Sequence, residues 1–201
     1  MKNNFYILLL SIFFFHPLLA DNLNIQSSEI SIDKDSRSTI FKGGVVATDH
    51  KNNVFKTDYA EYKKDLKFLK SRGETTVITS EGYSISGKNI VFDNKNGFIK
   101  SDNKTTIKDL EENNIFLENF EYSINDNFFK SIGKIKIIDT NNNTYNFSQI
   151  FINEKKREII GSDIKAFLNE ESFKINKNNK PRVFANTVKI ENQNSEFTKS
   201  I

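Results

Sequence analysis

An apolar residue recurs every 30 residues along most of the chain, and this internal repeat limits the possible folds more than any other feature. The repeated residue is isoleucine, tyrosine or phenylalanine, and another apolar residue stands two positions before it in each copy. The five pairs are Ile30 and Ile32, Ala60 and Tyr62, Ile90 and Phe92, Phe120 and Tyr122, and Ile150 and Ile152. A fixed period of this length indicates one supersecondary unit stacked on copies of itself, because no unit buries its apolar face alone.

Each repeated pair lies in a segment where apolar and polar residues alternate, as in residues 119–123 and 149–153. This alternation predicts a strand with one buried face. Polar turn residues follow each strand, as at 93–96, and a second set of turns falls half a period later, as at 141–143. Each unit is therefore two arms of about a dozen residues, and the short turns between the arms favour antiparallel pairing. We expect no helix.

The arms are long enough that they should bend. A straight strand of a dozen residues would span about 40 Å, longer than most strands in compact domains. Gly43, Gly73 and Gly133 fall on the 30-residue grid where a bend or bulge would use a residue without Cβ, and Asn103 and Asp163 occupy the same place in the other units. The sequence predicts an all-β fold, a twisted stack of bent antiparallel strands whose alternate side chains point into a common apolar interior.

The first twenty residues differ in character from the rest. Lys2 precedes an apolar run at 5–15, and Ala20 stands before the acidic Asp21. This pattern predicts a cleavable signal peptide over 1–20, with a signal anchor as the alternative. Cysteine is absent, so an exported chain would depend on its core and hydrogen bonds for stability.

We expect one domain over 24–190 and a polar, frayed tail over 191–201. Residues 183–190 read as one more strand arm, which an insertion near 176–180 displaces from the grid. The formal net charge is 29 − 26 = +3 and is spread along the chain. Such a small and dispersed surplus argues against a nucleic-acid binder.

The chain has few residues that could carry catalysis or bind a metal. It has no cysteine and two histidines, of which His16 lies in the signal segment and His50 in a turn. The common nucleophilic constellations and His/Cys metal sites are therefore not expected, and we predict neither an enzyme nor a cofactor. Residues 93–96 faintly resemble a calcium loop but lack its glycine and closing glutamate, so turn chemistry explains them. A carboxylate pair of a polysaccharide-cleaving enzyme stays open, since no pair stands out.

The inward residues could form a dry core or line a groove. Their sizes range from Ala60 to Phe92 and Tyr122, and the stack has open ends instead of a closed ring. These features favour a groove that takes up acyl chains. We expect ten residues to line it: Ile30, Ile32, Ala60, Tyr62, Ile90, Phe92, Phe120, Tyr122, Ile150 and Ile152.

The repeat also resembles that of the OstA family. The resemblance lies in residues 57–64 followed by Gly73, and in residues 28–34 followed by residues 43–45, and it covers about 24–190. It implies a semi-open twisted β-jellyroll that shields the lipid A acyl chains of lipopolysaccharide in the bacterial periplasm. The run at 187–190 followed by 197–201 most resembles the end of the periplasmic N-terminal domain of the family's outer-membrane assembly protein.

The resemblance also implies partners. The first arm near Ile30 would offer an open strand edge to a periplasmic bridge protein, and the lipid ligand would be lipopolysaccharide. The membrane barrel and cysteines of the outer-membrane protein are missing here, so we expect a fragment or truncated copy whose further partner is that barrel. The alternatives are a stand-alone soluble bridge protein and, from another class, a β-solenoid surface scaffold or glycan-binding adhesin with a dry interior.

Overall fold

The computed structural model describes residues 23–169, 182–191 and 194–198, and in these ranges the chain is built from 17 strands. The expected signal peptide and the insertion near 176–180 lie outside the described residues. The strands are β1 (Asn24–Gln26), β2 (Glu29–Asp33), β3 (Ser38–Thr48), β4 (Val54–Lys63), β5 (Phe68–Ser71), β6 (Glu74–Ile78), β7 (Ser84–Lys88), β8 (Val91–Asp93), β9 (Phe98–Ser101), β10 (Thr105–Lys108), β11 (Asn114–Leu117), β12 (Phe120–Ser123), β13 (Phe128–Ile138), β14 (Thr144–Asn153), β15 (Glu158–Phe167), β16 (Arg182–Glu191) and β17 (Asn194–Thr198).

All 17 strands belong to one antiparallel sheet, and the described residues contain no α-helix, only a single 3₁₀ turn at Lys64–Leu66. None of the described helical structure is long or apolar enough to cross a membrane. The predicted fold class is confirmed: this is a semi-open, twisted β-jellyroll of bent strands with a repeat of about 30 residues.

The sheet folds over on itself into two layers with a shared core. The first layer contains β2, β5, β8, β9, β12 and β17, and the second contains β1, β6, β7, β10 and β11, while the long strands β3, β4 and β13 to β16 run through both. We call the line where the arms pass between the layers the hinge. Buried residues of both layers, such as Leu69 and Val77, belong to one continuous cluster.

The predicted bends lie on the hinge. Gly43, Gly73 and Gly133 have positive φ angles of 74°, 87° and 122°, and Asp163 adopts 54°. The ladders shift register between Lys42 and Val45 and between Ile132 and Ile135, beside two of these glycines. Asn103 occupies the same grid position without a positive φ. At this position strand β9 ends and strand β10 begins, so the chain turns between two strands instead of within one.

The turns repeat with the same period as the strands. Positive φ angles occur at Arg37, Lys67, Gly97, Asn127 and Arg157 in the turns of the first layer, and at Asn52, Gly82, Glu112 and Asn142 in those of the second. Both series are spaced by 30 residues. Only two of the nine positions are glycines, so the turn conformation is imposed even where the residue does not favour it.

An aspartate closes three of the second-layer turns. The Asp139 carboxylate accepts hydrogen bonds from the backbone N–H groups of Asn141 and Asn143 at 2.9 and 2.8 Å, and from the Asn143 side chain at 2.8 Å. Asp49 with Asn53 and Asp109 with Asn113 repeat this arrangement. The Asp-x-x-x-Asn pattern thus satisfies the turn's donors locally.

The stack ends in strands that have one neighbour each. Among the described residues, strand β2 pairs with β3 alone, and β17 pairs with β16 alone. Residues 183–190 are predicted to form one more strand arm, and they lie in β16. Residues 194–198, which the sequence suggested would fray, instead pair with β16 from Thr187 to Glu191. A hairpin partner satisfies the backbone groups on one edge of this segment.

Candidate functional site

The repeated apolar residues form one continuous ladder across the first layer. Directly paired residues of neighbouring antiparallel strands point to the same face, so strand register shows which side chains align. Following the register gives the apolar ladder: Ile32, Thr39, Tyr62, Leu69, Phe92, Ile99, Tyr122, Phe129, Ile152, Ile159 and Ile190. All five residues of the 30-residue grid are therefore on one face, which is the face turned toward the second layer.

A second inward row lies beside the ladder and mixes large with small residues. It contains Phe41, Ala60, Ser71, Ile90, Phe120, Ser131, Ile150 and Gly161. Its buried serines donate to backbone carbonyls near the hinge: Ser71 to Ile90 at 3.1 Å and Ser131 to Asn119 at 2.6 Å. Ser101, on the same 30-residue grid, bonds to Lys88 at 3.0 Å. Each of these buried hydroxyl groups thus has a backbone acceptor near the hinge.

Eight of the ten predicted groove residues are buried or partly buried within the jellyroll. Ala60, Ile90, Phe92, Phe120, Tyr122 and Ile150 are buried, while Tyr62 and Ile152 pack against the core from partly buried positions.

The expectation that Ile30 and Ile32 lie inside the chain is wrong: 62% and 75% of their surfaces are exposed. They share the inward face with Phe41 and Thr39, but β2 is the last strand of the stack and nothing in the described chain covers it.

The middle of the interior is filled by side chains. The cavity between the layers there has a volume of about 50 Å³ and is lined by Ile85, Ile107, Ile115, Tyr122 and Phe129 among others. That is room for little more than water. Side chains of both layers thus occupy the middle of the interior, and the acyl-lining role of the ten residues stays a prediction.

The space between the layers widens toward the C-terminal end of the stack. An opening of about 750 Å³, here called the C-terminal mouth, is lined by Ile152, Ile159 and Ile190 of the apolar ladder, with Tyr83 and Glu154 at its inner end. Charged side chains line it as well, from Glu111, Arg157 and Glu158. These three isoleucines are only partly buried, unlike Phe92 and Ile99 earlier in the ladder. The mouth is therefore where the apolar interior is accessible.

A carboxylate flanked by two phenols lies where the mouth meets the closed interior. The Tyr122 hydroxyl donates to Glu154 Oε2 at 3.3 Å, and Tyr83, from a turn of the other layer, hydrogen-bonds the same carboxylate. Burial raises the pKa of Glu154 above its ordinary value, against the opposing effect of the two tyrosine hydrogen bonds. Burial and the Glu154 charge raise the pKa of Tyr83 to about 12 and also raise that of Tyr122.

Sequence reasoning placed Tyr122 in the interior but missed Tyr83 and Glu154. Both stand in turns, and turn residues carry no periodic signal that would assign them to a site. The remaining candidate, His50, is exposed in the turn between β3 and β4. Asp93 accepts hydrogen bonds from the backbone and side chain of Asn96 at 3.0 and 2.8 Å, an Asx-type turn. Across the described ranges, no group of three or more potential ligands is placed to hold a metal ion.

Comparisons with known proteins find a structural likeness but no family. No family model matches the chain, and no curated protein matches it. Among solved structures, the chain is similar to LptH from Pseudomonas aeruginosa, described as the LptA-homologous periplasmic component of the conserved lipopolysaccharide transport device. The identity is 13% and the TM-score is 0.29, over 81% of this chain and 94% of the LptH chain. At these values the likeness assigns no function to the chain.

Proposed function

We propose that the chain is a periplasmic lipopolysaccharide-transport module that shields lipid A acyl chains in its apolar interior and passes the lipid to the outer-membrane assembly machinery. The observation that supports this most is the apolar ladder, which runs in register from the exposed Ile32 at one edge to Ile190 at the C-terminal mouth, with Thr39 as its one polar member. A protein that needed only a dry core would gain nothing from leaving Ile32 exposed at one end of the ladder and Ile159 and Ile190 only partly buried at the other.

The mouth is the place where acyl chains would enter. Hydrocarbon there would replace water against Ile152, Ile159 and Ile190, while the charged residues of the lining would keep their contact with water. Each buried methylene contributes about 0.8 kcal/mol, so ten methylenes would contribute roughly 8 kcal/mol before the costs of binding. Deeper entry requires the two layers to separate at Tyr83, Tyr122 and Glu154, because the interior beyond them is filled.

The same proposal assigns a location and partners. The module would act in the periplasm at the outer membrane, either as the N-terminal domain of the outer-membrane assembly protein LptD or as a stand-alone soluble bridge protein. Within the part of the chain that the structure describes, strand β2 has one unpaired edge and two exposed isoleucines, Ile30 and Ile32, which suits β-augmentation by a bridge protein. The outer-membrane barrel is a further partner if the chain is part of a longer protein.

Site-specific photo-crosslinking tests the proposal. A photoreactive residue at Ile159, on the inward ladder, should capture lipopolysaccharide in cells, whereas one at the neighbouring outward Ile160 should not. Ile152 and Phe151 form a second matched pair, because alternate residues of a strand point to opposite faces. Equal labelling at inward and outward positions would overturn the proposal.

A surface scaffold or glycan-binding adhesin remains the second candidate, favoured by the filled interior. It predicts that native mass spectrometry of the protein purified from cells detects no bound lipid. It also predicts that neither Ile159 nor Ile160 yields a lipid adduct.

A further inference from the structure

A cleft opens on the outer surface where β11 and β13 separate. The two strands pair from Asn114 with Ile138 to Phe116 with Lys136, and the ladder ends there. Strand β11 finishes at Leu117, while β13 turns away at Gly133, whose φ is 122°. The strands therefore diverge at the hinge and leave a cleft of about 520 Å³.

The walls of this hinge cleft are largely apolar. Phe116, which is 40% exposed, and Phe147 form its sides, and Leu117 and Ile135 belong to the buried core beneath. Phe147 packs against the same core. The cleft is thus a break in the outer polar surface through which hydrocarbon could contact the apolar interior.

Three lysines surround the cleft: Lys104, Lys134 and Lys136. All three are exposed, and within the described part of the chain no acidic group pairs with their ammonium groups. The one acidic residue of the lining, Glu118, accepts a hydrogen bond from the Lys134 backbone N–H at 3.2 Å. The cleft therefore carries a surplus of positive charge beside exposed apolar surface.

We infer that the hinge cleft binds the phosphorylated head group of a lipid, with the three lysine ammonium groups facing the phosphate and the adjoining hydrocarbon lying on Phe116 and Phe147. Lysine contacts phosphate as a point charge and tolerates variation in head-group shape. A phosphate-bearing lipid satisfies both features of the cleft, whereas a free phosphate uses only the lysines and a neutral lipid only the apolar walls. The inference deepens the proposed function, on which it rests for the identity of the lipid.

Calorimetric titration with monomeric dihexanoyl phosphatidic acid tests the inference on the full chain. Dihexanoyl phosphatidylcholine and inorganic phosphate serve as the two comparison ligands. We expect the phosphatidic acid to bind at least about tenfold more tightly than either, with affinity falling as salt is added. Equal affinity for inorganic phosphate would overturn the inference, and so would equal affinity for the phosphatidylcholine.

Two sets of substitutions with the same change in charge locate the binding. The variant Lys104→Gln, Lys134→Gln, Lys136→Gln should weaken binding of the phosphatidic acid by about tenfold or more. The control Lys56→Gln, Lys70→Gln, Lys100→Gln removes three charges elsewhere on the outer surface and should change affinity by less than about twofold. Equal losses in both variants would show a diffuse charge effect and overturn the inference. A matching urea midpoint for all three proteins verifies that each is folded.

Phe116→Gln adds an independent readout, since it removes an apolar wall while leaving the charge unchanged. It should weaken phosphatidic acid binding without altering the response to inorganic phosphate. An unchanged affinity for phosphatidic acid would contradict the assigned place of the hydrocarbon.

Failure of this inference can be distinguished from failure of the proposed function. If Ile159 crosslinks to lipopolysaccharide while substitution of the three cleft lysines leaves phosphatidic acid binding unchanged, the transport proposal is supported and the head-group site is contradicted. If Ile159 captures no lipid but the lysine-dependent binding persists, the cleft stands and the transport proposal falls.

Discussion

The Lys51 ammonium group donates to the backbone carbonyl oxygen of Ile124 at 3.4 Å, although 73 residues separate the two in the sequence. Lys51 lies in a turn of the second layer and Ile124 begins a turn of the first, so the contact joins the layers on the side opposite the hinge. The contact between Tyr83 and Glu154 joins the next turns along the stack, 71 residues apart. Each of these turns of the second layer therefore contacts a turn of the first layer that lies more than two repeats further along the sequence.

The stability of the fold should depend strongly on Leu69, a fully buried member of the apolar ladder. Leu69→Ala removes packed methyl groups and leaves a cavity, so we expect the free energy of unfolding to fall by about 2–5 kcal/mol. Urea unfolding followed by circular dichroism measures the change. Leu66→Ala, at a residue that is 53% exposed in the adjacent turn, is the matched control and should alter stability by less than about 0.5 kcal/mol. Similar losses for both variants would contradict the assigned core.

Asp139 should stabilise the turn between β13 and β14. Asp139→Ala leaves the Asn141 and Asn143 backbone N–H groups without their acceptor, so we expect a loss of about 1–3 kcal/mol in unfolding free energy. Asp58→Ala, in an exposed strand position, is the control and should be nearly neutral. An equal effect of the two substitutions would contradict the role of the turn.

The effect of Asp139 should also depend on pH. Burial would raise the pKa of this carboxyl, but the hydrogen bonds from Asn143, Tyr145 and Asn141 together outweigh burial and lower it below 3.8. Its stabilising contribution is therefore complete above about pH 3.8 and is lost as the pH falls through the lower pKa of the folded state. The stability difference between the parent protein and Asp139→Ala should narrow over that acid range in urea titrations.

Arg37 should be a site where glycine stabilises the fold. Its φ is 51°, in the left-handed region, and the equivalent position two turns later is Gly97. Arg37→Gly relieves the conformational penalty, so we expect unfolding free energy to rise by about 0.5–1 kcal/mol. Lys34→Gly, in the same turn without a positive φ, should not stabilise. A decrease in the thermal midpoint of Arg37→Gly would contradict this explanation.

Glu154→Gln should change the pH dependence of stability at the C-terminal mouth. The folded state holds the proton of Glu154 more tightly than the unfolded state, because burial raises its pKa above 4.5. The parent protein should therefore gain stability relative to Glu154→Gln as the pH falls from neutral toward 4.5, and lose that gain as the pH rises through the folded-state pKa. Urea midpoints of both proteins between pH 4 and 8 measure the difference, and a difference independent of pH would contradict it.

The cluster of Tyr83, Tyr122 and Glu154 should also make the stability of the fold depend on pH in the alkaline range. Tyr83 ionises near pH 10 when unfolded and at about 12 when folded, so the parent protein should lose stability between these values. Tyr83→Phe has no proton to lose at this position and should lose less stability over the same range. If the unfolding free energies of the two proteins fell in parallel with rising pH, Tyr83 would not contribute to the alkaline loss of stability.

Much of the fold could be predicted because strands have a period of two and the repeat a period of 30. Those two numbers place Phe92 and Tyr122 on one face and put the bends at Gly43, Gly73 and Gly133. The error at Ile30 and Ile32 has a simple cause: periodicity gives the direction of a side chain, whereas its burial depends on whether another strand lies above it. The positive φ at Arg37 and Arg157 escaped notice because neither residue type favours it.

By itself, the amino-acid sequence determined the all-β class, the length of the repeating unit and the inward face of each arm, since these follow from local alternation and turn chemistry. Tertiary structure alone decided that the turn of Lys51 meets that of Ile124, that Tyr83 reaches Glu154, and that the middle of the interior is filled while the C-terminal mouth is open. The physical reason is the twist of the two layers, whose offset accumulates over many strands and is not encoded in any single repeat.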